Sequence, residues 1–170
     1  MVPDVTEPVI TIGVLAEKVG LSVSAIRKYE QAGLIFSYRT NSGRRMFSFE
    51  DIERISVIQH LIKELGFNIE GIRRLQSLLP CWDLLPCKKE ERDTCPAFKH
   101  NSKPCWMMRD AHCSLQGNEC RQCIVYRFGS ICVEDIKELL FKKESEIDSR
   151  KLMTDFLDKR KKQAQAQAGM

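Results

Sequence analysis

No apolar run in this sequence approaches the roughly 20 residues that a membrane-spanning helix needs. Residues 1–8 hold acids and prolines, without the cationic start and apolar stretch of a secretory signal. Both absences point to a cytoplasmic protein in a reducing compartment, with no membrane partner. Catalytic constellations are missing too: no Ser-His-Asp set, glycine-rich phosphate loop or catalytic paired-acid constellation is apparent, and Gly13, Gly20 and Gly33 read as helix punctuation. An enzyme is therefore not expected. In a reducing compartment the eight cysteines favour metal, cluster or redox chemistry over structural disulfides.

The 170 residues allow one domain or two small ones. A net charge of +4 says little alone, but its placement says more. Between Ser24 and Arg45 the cations Arg27, Lys28, Arg39, Arg44 and Arg45 face Glu30 alone. This basic stretch begins in a short helix that the pattern predicts after Ser22, whose hydroxyl can cap a free backbone N–H. Val23, Ile26 and Glu30 fall on one side of it, Ser24, Arg27 and Lys28 largely on another, and Gly33 closes it. Upstream, Thr11 caps a second helix that turns Ile12, Leu15, Ala16 and Val19 inward and ends at Gly20. Two short helices around a tight turn, the second one cationic, make the pattern of a DNA-reading helix-turn-helix.

Residues 1–10 read as a flexible leader. After the helix pair, β-prone residues 35–39 and 44–47 flank Thr40-Asn41-Ser42-Gly43, a hairpin or wing whose cations suit phosphates or a minor groove. Ser48 caps the next helix, with Asp51 completing a capping box, and Ile52, Ile55, Ile58, Leu61, Ile62 and Leu65 recur at helical spacing as far as Gly66. Asn68 caps a further helix with Ile69, Ile72, Leu75, Leu78 and Leu79 inward, closed before Pro80.

Thr11–Ala16, Ala25–Glu30, Ala32–Ile35, Gly43–Ser48, Glu50–Ile52 and Leu65–Asn68 occur in an order and at distances that resemble the MerR-type transcriptional regulators. Asn68–Arg73 is similar to the heat-shock repressor branch of that family. The resemblance implies a winged helix-turn-helix domain over 11–79 and a mainly α protein. It places Ser24, Arg27, Lys28 and Tyr29 on the reading helix and Arg39, Arg44 and Arg45 on the wing. Tyr29 is split between packing under the wing and a phosphate hydrogen bond. Lys28 departs from the tyrosine of many members, exchanging a hydroxyl for an ammonium. Further implications are a homodimer on double-stranded promoter DNA, and regulation by DNA distortion that reaches RNA polymerase indirectly.

All eight cysteines fall between 81 and 132, among prolines and glycines that interrupt any long helix. Such a loop-rich segment needs a staple. Zinc sites favour paired C-x₂-C knuckles, and only Cys120-Arg121-Gln122-Cys123 has that spacing. An iron–sulfur cluster needs four thiolates at more varied spacings. Redox-active thiols with no cofactor need no fixed spacing. All three stay open. The candidate ligands are Cys81, Cys87, Cys95, Cys105, Cys113, Cys120 and Cys123; Cys132 reads as an ordinary thiol, and His112 beside Cys113 as a minor candidate. Cys81-Trp82, Cys87, Cys95-Pro96-Ala97, Cys105-Trp106, Cys113 and Cys120-x-x-Cys123 with Tyr126 resemble the two-Cys-Trp module of bacterial signalling proteins over about 81–127. That resemblance implies a sensory appendage without naming its ligand.

The expected organisation is a leader (1–10), the DNA-binding domain (11–79), an irregular cysteine-rich sensory or metal module (80–132), a C-terminal helix (133–162) that dimerises or packs on its own chain, and a disordered tail (163–170). The function expected is a DNA-binding regulator whose cysteines sense metal, iron–sulfur or redox state. The alternatives are a redox or electron-transfer protein, or a zinc-stapled adaptor, with the helix-turn-helix as an anchor.

Overall fold

The computed structural model describes residues 5–85, 87–100, 102–115, 117 and 119–129, all within one unit, Met1–Val133. Cys132, the C-terminal helix expected over 133–162 and the tail lie outside the described residues. Helices dominate, with one small sheet. In order come β1 (Ile10–Thr11), α1 (Ile12–Val19), α2 (Val23–Gln31), β2 (Tyr38–Arg39), β3 (Arg45–Phe47), α3 (Phe49–Lys63) and α4 (Ile69–Gln76).

Local chemistry sets the helix boundaries. Thr11 Oγ1 accepts from Val14 N at 3.5 Å to open α1, and Ser22 Oγ accepts from Ala25 N at 3.1 Å to open α2. Ser48 and Asp51 form a reciprocal box at the head of α3: Asp51 N donates to Ser48 Oγ at 3.3 Å, and Ser48 N to Asp51 Oδ2 at 2.7 Å. Asn68 Oδ1 accepts from Gly71 N at 2.7 Å to open α4.

The hairpin forms as expected around Thr40–Gly43, where Gly43 takes a φ of 78° and its amide donates to Thr40 O at 2.8 Å. It gains a third strand from the segment read as a leader. The sheet order is β1-β3-β2, antiparallel throughout, with Ile10 opposite Phe47 and Tyr38 opposite Met46. Without β1, strand β3 would present an unpaired edge. Ile10 is buried, and Glu50 N donates to Val5 O at 3.1 Å, so the ordered chain starts before residue 11.

Leu15, Ile26, Leu34, Ile35, Phe47, Ile55, Ile58, Leu61 and Ile72 form a fully enclosed core beneath both helices of the pair. Phe47 anchors the hairpin in it. Phe47→Ala should lower stability by about 3–5 kcal/mol, read from urea unfolding followed by circular dichroism. Two expected core residues lie outside: α3 ends at Lys63, so Leu65 leaves its apolar stripe and is 52 % exposed, and Leu78, beyond the end of α4, is 44 % exposed. Two polar groups take buried places instead, Arg54 on α3 and Gln76 on α4.

The cysteine segment is a chain of short helices: α5 (Cys81–Leu84), α6 (Lys89–Thr94), α7 (Pro96–Lys99), a 3₁₀ turn at Cys105–Met107, α8 (His112–Leu115) and α9 (Ile124–Gly129). Trp82 meets Phe98 edge-on at 4.9 Å and Trp106 meets Tyr126 edge-on at 5.4 Å, so both tryptophans serve as packing plates.

Candidate nucleic-acid interface and cysteine cavity

Helix α2 sorts its residues by face. Ile26 and Tyr29 are buried, whereas Ser24, Arg27 and Lys28 are exposed, so the cations on this helix face solvent. Tyr29 packs in the core with its ring, and burial raises the pKa of its phenol. Of the two roles read for it, packing is the one its position serves. On the hairpin Arg39 and Arg44 are exposed, with Arg39 Nη1 donating to Gly43 O at 3.3 Å across the turn. Arg45 differs: its Nε donates to Glu30 Oε2 at 2.8 Å, and Ser37 Oγ donates to the other oxygen of the same carboxylate. This network ties the hairpin to the C-terminal end of α2, and it makes Arg45 a positioning residue more than a free cation.

Five of the seven candidate cysteines, Cys87, Cys105, Cys113, Cys120 and Cys123, wall a cavity of about 420 Å³. Trp106, Tyr126 and Leu85 supply apolar wall, and His112 Nε2 stands 3.1 Å from Glu91 Oε1 at its side. Cys81 and Cys95 are not on the wall, although Cys81 shares a hydrogen bond with Cys105. That bond holds the Cys81 thiol below its ordinary range, while the bond and then burial push Cys105 up. Burial also raises Cys87. The seven described cysteines are thiols, none of them joined in a disulfide. Among the described residues no three His, Cys, Asp or Glu side chains converge closely enough to hold one metal ion.

The cavity's neighbours along the chain grip the connector between α2 and the hairpin. Trp106 Nε1, next to Cys105, donates to Gly33 O at 2.8 Å. Gly33 has a φ of 73°, and a Cβ there would collide with Met107, so the turn leaves room for the 3₁₀ segment against it. Arg121, inside the Cys120–Cys123 knuckle, donates to Phe36 O at 2.7 Å and to Asp51 Oδ2 at 3.0 Å. Phe36 N donates to Tyr126 Oη at 2.9 Å, and the two rings stack at 4.9 Å. Arg54 covers the other face of Tyr126 at 3.7 Å from its centroid and donates to its carbonyl, and Arg127 Nε donates to Glu50 at 3.0 Å.

Sequence reasoning missed this grip. Arg54 is a cation within an apolar helix, and Arg121 and Arg127 are cations in a cysteine-rich stretch, but their partners lie 70 or more residues away. Nothing local announces such pairs.

The chain matches a family model described as MerR HTH family regulatory protein over residues 10–79. It is similar to the HTH-type transcriptional regulator GlnR of Bacillus anthracis, 35 % identical over 68 residues, covering 40 % of this chain and 52 % of that protein. The HTH-type transcriptional regulator TnrA of Bacillus subtilis is 49 % identical over 47 residues, covering 28 % of this chain and 43 % of that one. A mercuric resistance operon regulatory protein of Bacillus cereus is 42 % identical over 65 residues, 38 % and 48 % of the two chains. The chain thus spans about half the length of the curated relatives it matches, and these alignments run to 68 residues at most. Residues 10–79 are a MerR-family helix-turn-helix regulator domain.

Proposed function

We propose that this protein is a sequence-specific, DNA-binding transcriptional regulator whose cysteine segment senses metal, iron–sulfur or redox state. It binds promoter DNA as a homodimer in the cytoplasm and influences RNA polymerase indirectly, through the shape of the DNA. Ser24, Arg27 and Lys28 read the major groove from α2, Arg39 and Arg44 hold flanking phosphates from the hairpin, and Arg45 sets the hairpin against α2 through Glu30. Tyr29 supports the helix from beneath.

One observation carries the sensory half of this reading: the residues beside Cys105, Cys120 and Cys123 hold the backbone of Gly33 and Phe36. Those two residues join the reading helix to the hairpin. A change in the state of the thiols therefore bears on the relative placement of the two DNA-contacting elements, a local event with a distant readout.

Selection of duplexes from a random pool by the full-length protein, followed by footprinting, tests the regulator reading. The expected product is a two-fold site with half-sites roughly one helical turn, about 10–10.5 base pairs, apart or at a multiple of that spacing. A pool that yields no enriched duplex under either oxidising or reducing conditions rejects it.

A further inference from the structure

We infer that Cys81 and Cys105 form a reversible disulfide switch, closed by a hydroperoxide and opened by thiol reductants, that acts on the connector between α2 and the hairpin. This rests on the sensory reading above and names the residues and the reaction within it. Two observations bring the pair together. Cys81 and Cys105 share a hydrogen bond, so their sulfurs are already neighbours. Their chain neighbours also meet at one place: a Cβ added to Gly129 would lie 2.7 Å from the Trp106 ring and 3.0 Å from Leu79 Cδ1. The segments that carry the two thiols are therefore adjacent.

The sequence repeats itself at these two positions. Pro80-Cys81-Trp82 and Pro104-Cys105-Trp106 are the same tripeptide, and in each the proline leads into a short helical turn whose first residue is the cysteine. Both thiols are half-buried, so a small oxidant reaches them in the folded chain. A disulfide holds its sulfurs about 2.05 Å apart, well inside the separation of two hydrogen-bonded thiols. Closing it draws the Cys105 turn towards α5. Pro104 and Trp106 on either side of Cys105 are buried, so the pull passes into packed structure and not into a loose loop. That turn carries Trp106, whose Nε1 holds Gly33 O at 2.8 Å, and Met107, whose thioether rests on Gly33. The end of α2 is pulled with it, and DNA affinity falls. A transient, sensing bond is the form that disulfides usually take in a reducing compartment.

The step balances with a hydroperoxide as oxidant. Cys81, the acceptor of the hydrogen bond, attacks as a thiolate. Its sulfur takes the terminal hydroxyl, the O–O bond breaks, and the departing hydroxide or alkoxide picks up the proton that Cys81 gave up. Cys105 then attacks the sulfenic acid of Cys81, the S–O bond breaks, and the thiol proton leaves with the hydroxyl as water. Two thiols lose two hydrogens and two electrons, and hydrogen peroxide becomes two waters.

The test treats the reduced full-length chain with one equivalent of hydrogen peroxide, blocks the remaining thiols with iodoacetamide and maps the cysteines by mass spectrometry. The expected product carries a Cys81–Cys105 disulfide, weighs two hydrogens less than the reduced chain, and returns to it with dithiothreitol. Cys105→Ser should stop at the sulfenic acid of Cys81, trapped by dimedone, whereas Cys95→Ser should oxidise like the unaltered chain. A Cys120–Cys123 disulfide formed in its place overturns the inference. So does a chain whose Cys81 and Cys105 stay reduced, or a metal that copurifies and shields these two thiols from iodoacetamide. DNA binding is read separately, by gel shift on the selected duplex: the disulfide form should bind about fivefold or more weakly, and C81S should not respond to peroxide. Equal affinity of the two forms overturns the switch even where the bond forms. A protein that binds no duplex in either state removes the regulator reading, while the mapped bond stands or falls by itself.

Discussion

Arg27→Ala should weaken binding to the selected operator by about 1–3 kcal/mol, roughly 5- to 150-fold, with little change in stability. Arg27 is exposed on α2 while Ile26 and Tyr29 beside it are buried, so truncation removes a reaching cation without opening the core. Titration at several salt concentrations separates its two available roles. If Arg27 reads a base edge, R27A relaxes sequence preference and leaves the salt slope nearly unchanged. If it holds a phosphate, R27A weakens all duplexes alike and reduces the slope by about one. Lys89→Ala in α6, an exposed cation far along the chain, serves as the control. Equal affinity of R27A and the unaltered protein at low salt would remove α2 as the reading helix.

A large effect on stability is also expected at Arg121, outside the apolar core. Its side chain is 17 % exposed and its partner Asp51 only 4 %, and the same guanidinium also holds Phe36 O. Removing one member of a buried pair costs about 3–5 kcal/mol, because the other charge stays buried without its partner. Asp51 keeps the Ser48 amide and hydroxyl as donors, at 2.7 and 2.9 Å, so R121A should fall near the lower end, about 3 kcal/mol. Arg74→Ala offers the contrast: its pair with Glu70 is more than half exposed on both sides, and solvent screening leaves such a pair with little effect on stability. Urea unfolding of the two variants reads this difference. R121A has a second expected consequence: any change in DNA affinity on oxidation or metal loss should shrink, since the knuckle no longer holds the connector. Equal unfolding midpoints for R121A and R74A would show that the grip adds no stability.

Capping was legible from the sequence because it is a matter of three residues. Thr11, Ser22, Ser48 and Asn68 open the helices their positions predict. The hairpin was legible for the same reason, being set by one glycine turn between β-prone runs. Strand β1 was not, since Ile10 and Thr11 become a strand only by meeting Met46 and Phe47, more than 30 residues on. Arg54 was overlooked because helical periodicity counts apolar residues and passes over a cation whose guanidinium is met by the ring and carbonyl of Tyr126 in a distant segment. At the proposed DNA face the sequence offered the cations, and the structure separated Arg45, engaged with Glu30, from the exposed Arg27, Lys28, Arg39 and Arg44. The cysteine spacing announced that a staple was needed, but which thiols share a wall depends on how five short helices fold back.

Both hydrogen-bonding groups of the Phe36 peptide backbone are satisfied by the second half of the chain, the amide by Tyr126 and the carbonyl by Arg121. The helix-turn-helix of this protein is therefore not a portable cassette. Cut free after residue 79, it hands the Phe36 amide to water, and deuterium uptake at that single position reports whether the thiol-bearing half is seated.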